Sequence, residues 1–145
     1  MPHPPLFLAA DHNGFPLKEQ LVPKLRALGL DVTDLSPALV KNDDYPLAAR
    51  ALVTKMKKAP NARGILVCGS GVGMAIAANR AKGIRAFTAH SEEETKLARN
   101  DNDANVIALS GWNMTGEDAL RHIQIFLKTP FSKAARHHRR VEQLG

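Results

Sequence analysis

Five apolar, β-branched runs recur along the chain at a steady interval: LFLAA from Leu6, LDVTDL from Leu30, GILVCG from Gly64, IRAFTAH from Ile84 and NVIALS from Asn105. Short runs of this composition, bounded by glycine and polar residues, have the character of buried strands. Between them lie segments with helical spacing. LKEQLVPKLRALG places Leu17, Leu21, Leu25 and Leu28 on one stripe and stops at Gly29, a natural C-cap, with Pro23 as the position where a kink is expected. DYPLAARALVTKMKK from Asp44, GMAIAANRAKG from Gly73 and SEEETKLARND from Ser91 supply the next three helices. In the last of these, Ser91 is the N-cap and Glu94 holds the capping-box position. TGEDALRHIQIFLK from Thr115 and the charged SKAARHHRRVEQL from Ser132 complete the set.

Strands that alternate with helices imply parallel βαβ crossovers. The expected fold is therefore α/β: a Rossmann-like, doubly wound, five-stranded parallel sheet with helices on both faces. Residues 1–145 are expected to form a single domain, because a chain of 145 residues suits one hydrophobic core. In such sheets ligands sit beyond the carboxyl ends of the strands. Those ends carry Asp11-His12-Asn13-Gly14, Cys68-Gly69-Ser70-Gly71, His90-Ser91 and Ser110-Gly111-Trp112.

Composition narrows the classes. The sequence is 44% hydrophobic and 23% charged, and no stretch approaches the roughly 20 apolar residues of a membrane span. The opening residues lack a cationic leader. A soluble, cytoplasmic protein is expected, with no membrane partner. The single cysteine, Cys68, excludes an internal disulfide and multi-cysteine metal sites. The net charge of +6 invites a nucleic-acid reading, but most of it lies from Lys128 onward, where five basic side chains face only Glu142. A local patch of this kind fits a small anionic ligand at least as well as a polyanion. No aromatic residues interleave with the basic tail, so no nucleic-acid partner is expected.

Three motifs carry candidate chemistry. Gly69, Gly71 and Gly73 let backbone approach a ligand, and the helix expected to begin near Val72 turns its free N–H groups and positive dipole end toward the loop. The loop fails the dinucleotide fingerprint, whose third glycine would fall on Met74, and no Gly-Lys-Ser/Thr follows it. A purely structural glycine turn is the alternative reading. Cys68, just before the loop, reads either as a small buried hydrophobe or as a thiol whose pKa the helix N-terminus lowers, fit to act as base or nucleophile. Ser70 is either a loop residue or a donor to a developing oxyanion. Asp11 and His12 at the first strand end can bind hydroxyls, shuttle a proton or pair with phosphate, or merely hydrogen-bond locally. Arg136 and Arg140 share one helical face, either as a solvated basic helix or as a two-guanidinium clamp for phosphate.

Taken in order, AADHNGFPLKEQL, DDYP, GILVCGSGVGMAIAANRAKGIRA, NDNDANVIAL and ARHHRRVEQL span nearly the whole chain. This series resembles the type B ribose-5-phosphate isomerases and the related galactose-6-phosphate isomerase subunits. The resemblance implies aldose–ketose isomerisation of a phosphorylated sugar through an enediolate, with neither metal nor organic cofactor. It implies that Cys68 carries the proton between C1 and C2. Ser70 and the backbone of Gly69, Gly71, Val72 and Gly73 would hold the enediolate oxygens. Asp11 would orient hydroxyls, with Tyr45 and Asn102 among the substrate-binding residues. His12, Arg136 and Arg140 would receive the phosphate. It further implies a homodimer or dimer of dimers with shared sites, reached by the C-terminal helix. Two positions depart from the family pattern. Asp101 stands where many relatives carry the histidine that opens the furanose ring, and a carboxyl with an ordinary pKa of about 3.9 is a poor proton donor at neutral pH unless burial raises it. Trp112 stands where relatives commonly carry a phosphate-binding arginine, and it replaces a charged fork by a flat apolar surface suited to a sugar face. These departures keep open a different sugar, a non-catalytic sugar-phosphate binder, or a subunit that needs a second chain.

Overall fold

Parallel pairing throughout organises the strands of the computed structural model, which describes residues 3–145. The strands are β1 (Leu6–Ala10), β2 (Val32–Asp34), β3 (Arg63–Cys68), β4 (Ala86–Thr88) and β5 (Val106–Ser110), in the spatial order β2-β1-β3-β5-β4. The helices are α1 (Phe15–Ala27), α2 (Tyr45–Lys57), α3 (Val72–Asn79), α4 (Glu92–Asn102), α5 (Gly116–Lys128) and α6 (Ala135–Leu144). The expected five-stranded, Rossmann-like α/β architecture is the one observed.

Alternation along each strand divides the core in two, because successive side chains point to opposite faces. Leu6, Leu8, Ile65, Val67, Ile107 and Leu109 pack with α1 and α5 on one face. Ala9, Leu66, Cys68, Val106 and Ala108 pack with α2 and α3 on the other. Leu21, Leu25, Leu52 and Phe126 are fully enclosed, and each such side chain contributes about 1.5–3 kcal/mol of apolar transfer. The thiol-bearing end of β3 is thus the last step of a strand buried on both sides.

Strand order also fixes where a ligand can sit. The chain leaves β1 for β2 on one side and returns across it to β3 on the other, so the order reverses between the carboxyl ends of β1 and β3. The Asp11 N–H donates to the Val67 carbonyl at 3.2 Å and holds this crevice closed at its floor.

Local expectations fared unevenly. Ser91 caps α4 by accepting the Glu94 N–H at 3.1 Å, whereas the Glu94 carboxylate lies 3.7 Å from His90. Helix α1 runs on through Pro23 to Ala27. Leu28, placed on the apolar stripe by spacing, is 48% exposed, because the chain turns away at Gly29, whose φ is +81°. Lys18 is completely buried instead, its ammonium bonded to Glu19 and to Asp34 at 3.0 Å and seated 4.3 Å from the centroid of the Phe15 ring. Two carboxylates and an aromatic face offset the desolvation that normally keeps lysine outside. No helix among the described residues is long and apolar enough to cross a membrane.

Candidate active site

β3 ends at Cys68 and α3 begins at Val72, so only Gly69, Ser70 and Gly71 separate strand from helix. Gly71 takes the left-handed conformation, with φ of +83°, which a side chain would oppose. This turn swings the Gly71 N–H onto the Cys68 sulfur at 3.1 Å. The Ser70 hydroxyl accepts the Val72 N–H at 3.2 Å. The first N–H groups of any helix lack an intrahelical acceptor, and at α3 the amides of Gly73 and Met74 belong to that set. The thiol is 4% exposed. Burial pushes its pKa up, outweighing the downward pull of the Met74, Gly71 and Ser70 amides, and the Asp11 carboxylate adds to the rise. The helix-terminal setting foreseen for Cys68 is present, but the expected lowering of its pKa is overturned by desolvation.

The loop after β5 braces the thiol loop from one side. The Ser110 hydroxyl donates to the Gly69 carbonyl at 2.6 Å and accepts the Asn113 N–H at 3.1 Å. The N–H groups of Gly111 and Trp112 donate to the carbonyls of Cys68 and Gly69 at 2.7 and 3.1 Å. Two aromatic rings lie on the loop's glycines. A Cβ on Gly69 would fall 2.5 Å from the Trp112 indole, and one on Gly73 would fall 2.7 Å from the Tyr45 ring. Beside the loop, Ser70, His90, Ser91, Ser110, Asn113 and His122 line part of a cavity of about 380 Å³.

Asp11 and His12 face the thiol loop from the end of β1. Asp11 is buried, accepts the Gly14 N–H at 2.9 Å, and has its carboxyl pKa raised mainly by burial. One carboxylate oxygen of Asp43 accepts both the His12 backbone N–H at 2.7 Å and a bond with ring Nδ1 at 3.0 Å. That side-chain bond is the main reason the imidazole pKa is raised. Asp43 and Ser110 had no assigned role in the sequence. The pairing of Asp43 with His12 spans 31 residues, and the DDYP block offered the only local signal.

The remaining candidates stand elsewhere. Asp101 and Asn102 end α4, with Arg136 and Arg140 exposed on the adjoining α6. Ser132 N–H donates to the Asn100 carbonyl at 3.0 Å, and buried His137 brings Nε2 to 3.7 Å from the Asp101 carboxylate. Asp103, next in line, is held by Arg85 and Arg99 at 3.1 and 2.9 Å and shares a cavity with Arg63, the first residue of β3. Cys68 is the last residue of that strand, and a strand of its length covers roughly 17 Å. Within one chain the structure therefore brings Asp11, His12, Tyr45, Cys68, Ser70, Gly71, Val72 and Gly73 together at the carboxyl end of the sheet. Asp101, Asn102, Arg136 and Arg140 gather at the amino end. Among the described residues no group of three or more His, Cys, Asp or Glu side chains is arranged to hold a metal ion.

The thiol and its loop of amide donors stand at the switch point of the sheet, and the basic cluster stands at the sheet's other end. A family profile described as Ribose/Galactose Isomerase matches residues 6–144, and the chain belongs to that family. Among its relatives, the probable ribose-5-phosphate isomerase B of Mycoplasma pneumoniae is 40% identical over 141 residues, covering 97% of this chain and 92% of that protein. The solved ribose-5-phosphate isomerase of Thermotoga maritima superposes with a TM-score of 0.91 at 38% identity, covering 98% of this chain and 97% of that one. The ribose-5-phosphate isomerase B of Mycoplasma genitalium, solved with bound ribulose-5-phosphate, matches with a TM-score of 0.83 at 37% identity, covering 96% and 92% respectively.

Proposed function

We propose that this chain converts a phosphorylated aldose to its ketose, ribose 5-phosphate to ribulose 5-phosphate or a closely related pair, with Cys68 as the base. The observation that carries this reading is the Cys68 sulfur lying within 3.1 Å of an amide donor in the glycine loop, beside the switch point. A relative solved with ribulose-5-phosphate supports the substrate class.

Isomerisation moves one proton between neighbouring carbons. Cys68 takes the proton from C2 of the open-chain aldose and returns it to C1, while the hydroxyl on C2 gives up its proton and the oxygen on C1 gains one. The electron pair released at C2 makes the C1–C2 double bond as the carbonyl oxygen gains negative charge. Ser70 and the amides from Gly69 to Gly73 stabilise that charge, and such preorganised donors contribute most where water is excluded. A thiol raised by burial is scarce as thiolate at neutral pH but strongly basic when it forms. Asp11, Tyr45 and Asn102 hold the sugar hydroxyls, and His12, Arg136 and Arg140 take the phosphate. A free thiol used this way suits a reducing, cytoplasmic compartment.

The separation of thiol and arginines along β3 supports a homodimer, or a dimer of dimers, in which α6 of one protomer completes the site of its partner. Leu47 on α2 and Val72 and Ile76 on α3 are exposed apolar side chains available for self-association.

Mixing two inactive variants tests both claims. Cys68→Ala and the double variant Arg136→Ala/Arg140→Ala are each expected to lose turnover of ribose 5-phosphate. After subunit exchange, about half the dimers are mixed and each has one intact site, so about a quarter of wild-type activity returns. No recovery in exchanged mixtures refutes the shared site, and turnover by Cys68→Ala refutes the thiol as base. Asp101 and Trp112 favour one alternative, a subunit that needs a different chain; silence of the wild-type homomer on every aldose phosphate would establish it in place of our reading.

A further inference from the structure

The two aromatic rings that bracket the thiol loop assign a further role. Trp112 is held by its backbone: its own N–H reaches the Gly69 carbonyl at 3.1 Å and the preceding Gly111 N–H reaches the Cys68 carbonyl at 2.7 Å. The Ser110 hydroxyl, at 2.6 Å from the Gly69 carbonyl, tightens the same clamp. The indole can lie on the loop only because residue 69 lacks a side chain, since a Cβ there would fall 2.5–2.7 Å from three atoms of the ring. Yet Trp112 is 66% exposed, and tryptophan is strongly buried on average. At the other end of the loop Tyr45 rests on Gly73 in the same manner. The segment that follows the thiol thus carries an exposed ring at Gly69 and another at Gly73, each seated on backbone.

We propose that Trp112 is a specificity-determining residue that binds the carbon skeleton of the sugar by stacking its C–H face on the exposed side of the indole. This rests on the isomerase reading of the site. The physical reasons are the usual ones for aromatic platforms: an apolar plane that gains by covering, little side-chain freedom left to lose, and an N–H edge still able to meet a hydroxyl. Seated on Gly69, the residue next to the thiol, the plane selects for the shape and length of the sugar near the reacting carbons. It shifts part of the binding from phosphate charge to carbon surface.

Trp112 is the only tryptophan of the chain, so intrinsic fluorescence reports this one side chain. Ribose 5-phosphate, a hexose 6-phosphate and unphosphorylated ribose are titrated into the Cys68→Ala protein, which keeps each ligand unconverted. A saturable change of emission and protection from acrylamide quenching are expected with at least one sugar. In the Cys68-containing protein, Trp112→Ala should raise KM roughly tenfold, the factor that ~1.4 kcal/mol of lost contact represents, with kcat within about twofold. Trp112→Phe should restore most of the affinity, and Trp112→Arg should move the kcat/KM preference toward phosphorylated over unphosphorylated sugar.

Emission that no sugar alters overturns the proposal, whatever the activity. So does an unchanged KM in Trp112→Ala, or an emission that follows protein concentration alone, which would mean that a second copy covers the indole. Absence of turnover in the wild type with sugar-dependent emission intact would instead count against the catalytic reading and leave the platform standing.

Discussion

Ser110 makes a demanding test of how the catalytic loop is held. It is 6% exposed, and its hydroxyl joins the Gly69 carbonyl to the Asn113 N–H through bonds of 2.6 and 3.1 Å. Ser110→Ala removes both with almost no change of volume. A net contribution of about 0.5–1.5 kcal/mol per bond sets the range. The Gly69 carbonyl still accepts the Trp112 N–H at 3.1 Å, so only one of its two lone pairs is vacated, and about 1.5 kcal/mol is the expected total. Unfolding entropy near 2.1 cal/mol/K per residue gives a chain of 145 residues about 0.3 kcal/mol/K, which converts the loss to about 5 °C in Tm. Calorimetry measures this directly. Activity should fall further than stability, roughly tenfold in kcat, because Gly69 lies between the thiol and the Ser70 hydroxyl and a loosened carbonyl lets the donors drift. A Tm within about 1 °C of wild type together with unchanged kcat would refute the claim that this hydroxyl braces the site.

Two titratable groups make opposite demands on pH. His12 has its pKa raised first by the Asp43 carboxylate, so Asp43→Asn should move its titration to lower pH, and the alkaline rise of KM for the phosphorylated sugar should move with it; proton NMR of the ring and a KM profile check both, and an unmoved imidazole sinks the pairing. His122 is buried and bonded to Thr95 at 2.8 Å, and burial is the main cause of its lowered pKa. The unfolded chain therefore binds a proton that the folded chain refuses, and the stability tied to this group is full above about pH 6.5 and lost as pH falls through the folded-state value. His122→Gln should lose less Tm than wild type between about pH 7.5 and 5.5; His12, whose raised value acts in the other direction, is present in both proteins and drops out of the comparison.

Period and punctuation alone were enough to determine the helices and strands of this chain. Alternating apolar runs and helical stripes are local properties, and parallel order follows from their alternation through crossover geometry. The thiol loop was legible for the same reason, since Cys68, Ser70 and the glycines are adjacent in sequence and their strand-to-helix turn brings amides onto sulfur over three residues. What the tertiary structure alone decided was the environment of these groups. Whether Cys68 sits as a low-pKa or a high-pKa thiol depends on burial supplied by α2, α3 and the neighbouring strands, and here desolvation wins. The grip of Asp43 on His12 and of Ser110 on Gly69 joins residues 31 and 41 positions apart, and no spacing rule reaches that far. The separation of Asp101 and the tail arginines from the thiol is likewise a matter of which end of the sheet α4 and α6 occupy, because a strand runs its own length before it can present a side chain at its other end.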